Sequence, residues 1–178
     1  MKLYQRKQLK ICFSILCPDN SKSLLQNTVN SIKSRYPSVP FYAVCDNQAT
    51  SEDIAVLKKI CPIFKGKSTI SSLINVGMRH ATADWVFTIM AGTYMNWLMD
   101  EKFGFYIESE RDVVYPISNG KTNFIEATLN GLLINKKTFQ EVGDFIEDGE
   151  LEHIKSEWAL KAIDHGCKFK AIMGAKLC

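Results

Sequence analysis

Asp46 closes the apolar run Phe41 to Cys45 (FYAVC) and is followed by the polar residues Asn47 and Gln48. A carboxylate at the C-terminal end of a buried strand lies in the crevice where open α/β sheets bind ligands, and there it can accept a hydrogen bond from a nucleobase N–H. The competing reading is an Asp that caps a turn through its own backbone. A second group, Glu150, Glu152, His153 and Glu157, gathers three carboxylates and an imidazole. Such groups can take the proton of a hydroxyl nucleophile as general base. Equally, they form the exposed face of a helix, with Glu150 and Glu152 favouring its N-terminal end.

Other chemistries are poorly provided for. His80, His153 and His165 are spread along the chain and suggest no metal triad. The six cysteines, Cys12, Cys17, Cys45, Cys61, Cys167 and Cys178, form no C-x-x-C pair and mostly sit in apolar runs. That pattern argues against zinc and for buried reduced thiols in a cytoplasmic protein. Net charge is only +3, and the densest basic cluster (Lys2, Arg6, Lys7, Lys10) reads as a solvated N-terminal arm, so nucleic acid is not an expected partner. No secretory signal and no run of membrane-spanning length is apparent, so no transmembrane segment is expected. Trp85 and Trp158 read as core anchors, whereas Trp97 is free to meet a ligand.

The elements that must position these residues follow from periodicity. With 178 residues, 46% of them hydrophobic, one globular domain over residues 1–178 is expected. Leu9 to Leu16 reads as a buried strand stopped by Pro18-Asp19-Asn20; Ser21 or Ser23 then caps a helix with Leu24, Leu25, Val29 and Ile32 on one face. Phe41 to Cys45 is a second strand, followed by a helix from Ser51 and a brief strand at Pro62 to Phe64. Thr69 to Ala81 is a third helix, in which Gly77 marks close packing. Trp85 to Met90 is the third main strand. Strands alternating with helices make βαβ units and a largely parallel sheet. Beyond it, the pattern predicts a helix over Trp97 to Ser109, a strand at Asp112 to Pro116 and a polar loop at Ser118 to Asn123. A kinked strand over Phe124 to Ile134 follows, then helices at Lys136 to Val142 and Glu150 to His165, and a last strand at Cys167 to Ile172.

Several segments carry a family likeness in the same order. CFSILCPDNSKSLLQNTVNSI has a strand, a Pro-containing polar loop and a helix. Val44-Cys45-Asp46-Asn47 is similar to V-V-D-D. In Leu73-Ile74-Asn75-Val76-Gly77-Met78-Arg79, Asn75 and Gly77 match A-R-N-x-G-x-x. Asp84 to Ile89 resembles the run into a D-x-D motif, with Met90-Ala91-Gly92 on the D-x-D positions and Tyr94-Met95 on the aromatic-apolar pair after it. Leu133 to Phe145 ends on a Gly-x-Phe turn, and Glu157 to Gly166 resembles the helix after an E-D-x-D/E-L motif, with the E-D pair falling on Ile154-Lys155 in an ungapped reading. Together these resemble the GT-A-fold glycosyltransferases, in particular the family-two group that uses nucleotide-sugar donors.

The resemblance implies an α/β fold, a three-layer α/β/α sandwich with a mostly parallel sheet, divided into a nucleotide-binding half (about 9–96) and an acceptor-side half (about 97–178). It implies a glycosyltransferase that moves a hexosyl group from a nucleotide-diphospho-sugar to a hydroxyl on a glycan or lipid-linked acceptor. Asp46 would read the base, Asn47, in place of the second acid of V-V-D-D, would bind the donor beside it, and Asn75 with Met90, Ala91, Gly92 and Thr93 would line the donor pocket. Glu157 or Glu152 would serve as base. The degenerate D-x-D supplies no carboxylate, so no metal site is expected; Lys67, Arg79 and Lys121 are the cations available to a diphosphate instead. Two alternatives stand beside this: a catalytically inactive GT-A-like binding or interaction module, and another nucleotide-binding α/β domain, flavodoxin-like for example. The latter finds no Gly-rich phosphate loop after the first strand.

Overall fold

The computed structural model describes residues 9–94, 106–117 and 123–172. The first strand, β1 (Ile11–Cys17), is buried on both faces. Its Cys12 and Leu16, with Tyr42 and Val44 of β2 (Phe41–Asp46), face one helical layer. Phe13, Ile15 and Cys17, with Ala43 and Cys45, face the other. Burial on both faces is why these strands read as continuous apolar runs rather than alternating ones.

The layers are filled in chain order. Helices α1 (Lys22–Arg35) and α2 (Ser51–Leu57) supply Leu25, Val29, Ile32, Ile54 and Leu57 to one core. Helix α3 (Ile70–His80) packs Leu73, Ile74 and Met78 into the other. There it is joined by α4 (Lys136–Val142) and α5 (Leu151–Asp164) through Phe139, Val142, Ile154 and Trp158. Short polar side chains start four of these helices: Ser21, Thr50, Thr69 and Asn135 each accept a backbone N–H of the first turn, and Thr50 forms a full capping box with Asp53.

With β3 (Ile63–Gly66), β4 (Trp85–Met90), β5 (Asp112–Pro116), β6 (Leu132–Asn135) and β7 (Lys168–Ile172), one seven-stranded sheet forms in the order β3-β2-β1-β4-β6-β5-β7. Only β6 runs against its neighbours. The architecture is a three-layer α/β/α sandwich around a mostly parallel sheet, as expected from the sequence.

Three expected elements differ. The strand over Phe124 to Ile134 shrinks to β6, because side chains upstream bind local backbone instead of a ladder: Asn123 Oδ1 accepts Ile125 N–H at 3.1 Å and Thr128 Oγ1 accepts Asn130 N–H at 3.1 Å. Gly131 then takes φ +90° before the strand begins. The helix expected to run to Ser109 does not reach it: the carboxylate of Asp112 accepts the N–H groups of Glu108 and Ser109, at 2.6 and 2.9 Å, and folds a turn. Most of that helix, with Trp97, lies outside the described residues. The third strand starts and ends later than Pro62 to Phe64, because Asp46 pairs in register with Gly66.

Gly77 shows why α3 lies so close to the sheet. A Cβ there would stand 2.2 Å from Ser14 Oγ and 3.2 Å from Ser14 Cβ, in the middle of β1. Tyr42 also donates its hydroxyl to the Gly77 carbonyl at 2.6 Å. Gly77→Ala should therefore destabilise the fold by about 1–3 kcal/mol of overpacking, despite the gain of about 1 kcal/mol in helix propensity. Urea denaturation checks this, and Ser14→Gly in the same chain should recover part of the loss.

Candidate functional site

The C-terminal ends of β2, β1 and β4 lie side by side, which sets Asp46 and the Met90–Thr93 turn on the same edge of the sheet with β1 between them. Asp46 is the last residue of β2 and is 6% exposed. Its Oδ1 accepts the N–H of Gln48 at 2.7 Å. The Gln48 amide, then Ser68, hold the carboxyl below its ordinary range, so it is an ionised acceptor at neutral pH. The structure shows the turn-capping reading of Asp46 and sets its carboxylate at the strand end. Asn47 is exposed, and its N–H donates to Gly66 O at 2.7 Å.

The turn Met90–Thr93 leaves β4 beside β1, with Gly92 at φ +96°. Every backbone N–H in it is committed. Met90 donates to Asn130 Oδ1 at 2.9 Å, Ala91 to Leu16 O at 2.8 Å, Gly92 to Thr28 Oγ1 at 2.8 Å and Thr93 to Met90 O at 3.1 Å. Thr28 returns its own hydroxyl hydrogen to Thr93 O at 3.2 Å, and Asn130 Nδ2 donates to Thr93 Oγ1 at 3.0 Å. The turn is therefore clasped by α1 on one side and by the approach to β6 on the other. It offers no carboxylate, and among the described residues no group of three or more His, Cys, Asp or Glu side chains could hold a metal ion.

Asn75 is fully buried in α3, and its amide serves the backbone of the segment before α5. Its Nδ2 donates to Phe145 O at 2.8 Å and its Oδ1 accepts Phe145 N–H at 2.9 Å. Arg79 pairs with Asp144, and Lys67 Nζ pairs with Glu147 at 2.7 Å, so two of the cations considered for a diphosphate are bound to carboxylates of this same segment. Lys121 lies outside the described residues. The histidines serve helix ends: His80 stacks on Phe64 at 3.8 Å between centroids, and His165 caps α5 with a ring nitrogen 2.8 Å from Lys161 O.

On α5, Glu152 and His153 are exposed and Glu157 is half-buried; Glu150 is the N-cap residue but makes no side-chain cap bond. Neither Glu152 nor Glu157 has a side-chain hydrogen bond or ion pair among the described residues. At the positions where the resemblance sets its E-D pair, Ile154 is 3% exposed in the core and Lys155 is 4% exposed, donating to Ala127 O at 2.8 Å. Sequence reasoning missed Thr28, Gln48, Ser68, Asn130, Glu147 and Lys155 as parts of this region. Only Gln48 carried a local signal, two residues after Asp46 in a polar turn.

No family model and no curated protein matches the chain. Among solved structures, S. aureus TarS aligns with 95% of this chain and 36% of its own, at 11% identity and a TM-score of 0.64. The 1–349 portion of TarS aligns with 95% of this chain and 59% of its own, at 12% identity and a TM-score of 0.66. The same portion in complex with UDP-GlcNAc aligns with 95% and 57%, at 14% identity and a TM-score of 0.64. At these identities the likeness is one of fold, and the chain spans between 36% and 59% of the length of these structures. Among the described residues no helix is long and apolar enough to cross a membrane.

Proposed function

We propose that the chain binds a nucleotide-diphospho-sugar at the C-terminal edge of β2, β1 and β4 and transfers the sugar to a hydroxyl of a glycan or lipid-linked acceptor. The observation that carries this reading is Asp46: an ionised, nearly buried carboxylate at a strand end, in a fold shared with TarS, which has been solved with UDP-GlcNAc. On this reading Asp46 accepts a base N–H, while Asn47 and the Met90–Thr93 turn border the donor. Glu157 or Glu152, whose carboxylates have no other protein partner among the described residues, takes the acceptor proton.

A divalent ion of the D-x-D type does not fit. Hard cations need oxygen ligands, normally one or two of them protein carboxylates, and the Met90–Thr93 turn supplies none. Binding is therefore expected to be indifferent to Mg²⁺ and Mn²⁺. A second reading, a binding module without turnover, is favoured by Ile154 and Lys155, whose burial removes the family's acidic pair.

Titration with UDP, GDP and their sugars, with and without Mn²⁺ or Mg²⁺, combined with an assay of donor hydrolysis, tests both. Metal-independent binding with turnover supports the transferase, and binding without turnover supports the module. No binding of any nucleotide overturns both, and strictly metal-dependent binding overturns the metal-free site. Asp46→Ala should weaken nucleotide binding about 10- to 100-fold, since a hydrogen bond to a charged group is worth about 1.5–3 kcal/mol. Unchanged affinity removes Asp46 from the site.

A further inference from the structure

The parallel strands β1, β2, β3 and β4 set their N-terminal ends on one edge of the sheet, opposite Asp46. Backbone bonds stitch together the segments that enter them. Phe13 N–H donates to Pro40 O at 3.0 Å, Ala43 N–H to Pro62 O at 2.9 Å and Trp85 N–H to Lys10 O at 3.0 Å. Helices α1 and α2 run back to this edge and end there. Topology thus gathers Lys10, Lys33, Arg35, Lys58 and Lys59 from separate stretches of the sequence. All are exposed, and none is in an ion pair among the described residues. The entering segments, residues 9–10, 33–40, 58–62 and 81–84, contain a single acid, Asp84. The neighbouring acids Asp19, Glu52 and Asp53 follow β1 and β2 and lie on the other edge.

Helix dipoles account for part of this pattern. Lys33 and Arg35 lie in the last turn of α1, and Lys58 and Lys59 follow α2, where a cation is favourable. The dipoles do not select Lys10, and they do not clear carboxylates from the segments around it. Apolar groups also alternate with the cations. Pro37, Pro40 and Pro62 are exposed, and Tyr36, Val39 and Ile60 are half-buried. The Lys33 ammonium lies 5.6 Å from the Phe41 ring centroid, so its stem runs along apolar surface. Cations interleaved with apolar side chains match an anionic bilayer, where charges meet headgroups and apolar groups enter the interface. A nucleic acid would gain little from the prolines and Ile60, and all these cations but Arg35 are lysines, which lack the bidentate fork of arginine.

We infer that this N-terminal edge docks the chain on a membrane surface bearing acidic phospholipids. Lys10, Lys33, Arg35, Lys58 and Lys59 meet the headgroups, with Tyr36, Val39 and Ile60 entering the interface between them. Docking in this way turns the Asp46 edge away from the bilayer, by a strand length of about 20 Å. The attraction is mainly electrostatic, so it acts within a Debye length of the surface and weakens with salt. It needs no nucleotide and stands apart from the donor-site reading.

The test is co-sedimentation of the full chain with two kinds of vesicle, without nucleotide. One is phosphatidylcholine alone; the other adds equimolar phosphatidylglycerol. Binding should require the anionic lipid and fall as salt rises. Lys58→Gln/Lys59→Gln should weaken it about 25-fold, at about fivefold per cation near the surface. Lys58→Arg/Lys59→Arg should keep it. Lys22 opens α1, and Lys65 Nζ donates to Ala49 O at 2.9 Å, so both ammonium groups belong to the opposite edge. Lys22→Gln/Lys65→Gln removes the same charge there and should weaken binding less than about threefold. Equal losses in the two Gln variants would mean that net charge, not this edge, drives binding, and would overturn the inference. Equal binding to neutral vesicles, or no binding to anionic ones, would overturn it as well. Duplex DNA that binds as tightly as the anionic vesicles, with the same loss in Lys58→Gln/Lys59→Gln, would overturn the membrane in favour of nucleic acid.

Discussion

Replacing Trp158 with alanine should lower the unfolding free energy by about 3–5 kcal/mol, the usual cost of truncating a fully buried aromatic. The indole is 1% exposed and stacks on Phe145, with centroids 4.6 Å apart and planes at 19°. Phe139, Phe124 and Phe169 surround it at 6.0 to 6.3 Å. Its Nε1–H donates to Gly143 O at 2.9 Å, so truncation leaves both a void and a carbonyl without its partner. Trp158→Phe keeps most of the packing and loses only the hydrogen bond, which limits its cost to about 1–2 kcal/mol. Guanidinium denaturation with an unchanged m-value checks the pair. Equal losses in the two variants would mean that the hydrogen bond, not the aromatic cluster, fixes α5.

That cluster explains why the fold could be read from the chain more fully than the site. The strands Phe41–Asp46 and Trp85–Met90 announce themselves as short apolar runs, because each is buried on both faces by its own residues. Gly77 is legible too, since a glycine inside an apolar helix usually records a close approach, here to Ser14. The misread stretch, Phe124 to Ile134, fails for a local reason. Its apolar content is that of a strand, but Asn123 and Thr128 bind nearby N–H groups and turn the chain before the ladder can start. Hydrophobic period does not register competition between side chain and backbone.

The site was hidden by sequence distance. Thr28 and Asn130 clasp the Met90–Thr93 turn from 64 and 40 positions away, and no motif links either residue to that turn. Lys155 looks like a surface charge on an amphipathic helix, yet its ammonium is buried against Ala127 O. A charged residue at an inward position is ambiguous in sequence, because the partner that makes its burial tolerable belongs to a loop elsewhere. The place of Asp46 and its turn cap were legible because both follow from its position at the end of a buried strand.

Asn75 separates likeness to a motif from the role of a residue. The sequence marks it as a match to A-R-N-x-G-x-x and, through the resemblance, as part of a donor pocket. In the fold it is 0% exposed, and its amide closes a two-way bond with the backbone of Phe145, itself 2% exposed. Asn75→Ala should therefore cost about 2–6 kcal/mol, because a buried N–H and a buried carbonyl each lose their partner at about 1–3 kcal/mol apiece. The loss acts on the segment that carries Asp144 and Glu147, and these pair with Arg79 and Lys67 at either end of α3. Loosening that segment should expose Trp158, so tryptophan fluorescence should report the change before the sheet unfolds. A residue that only lined a pocket would behave in the opposite way, losing nucleotide affinity at unchanged stability. A denaturation midpoint shifted by less than about 0.5 kcal/mol, the range of ordinary surface substitutions, would show that the Phe145 clasp contributes little. It would return Asn75 to the ligand.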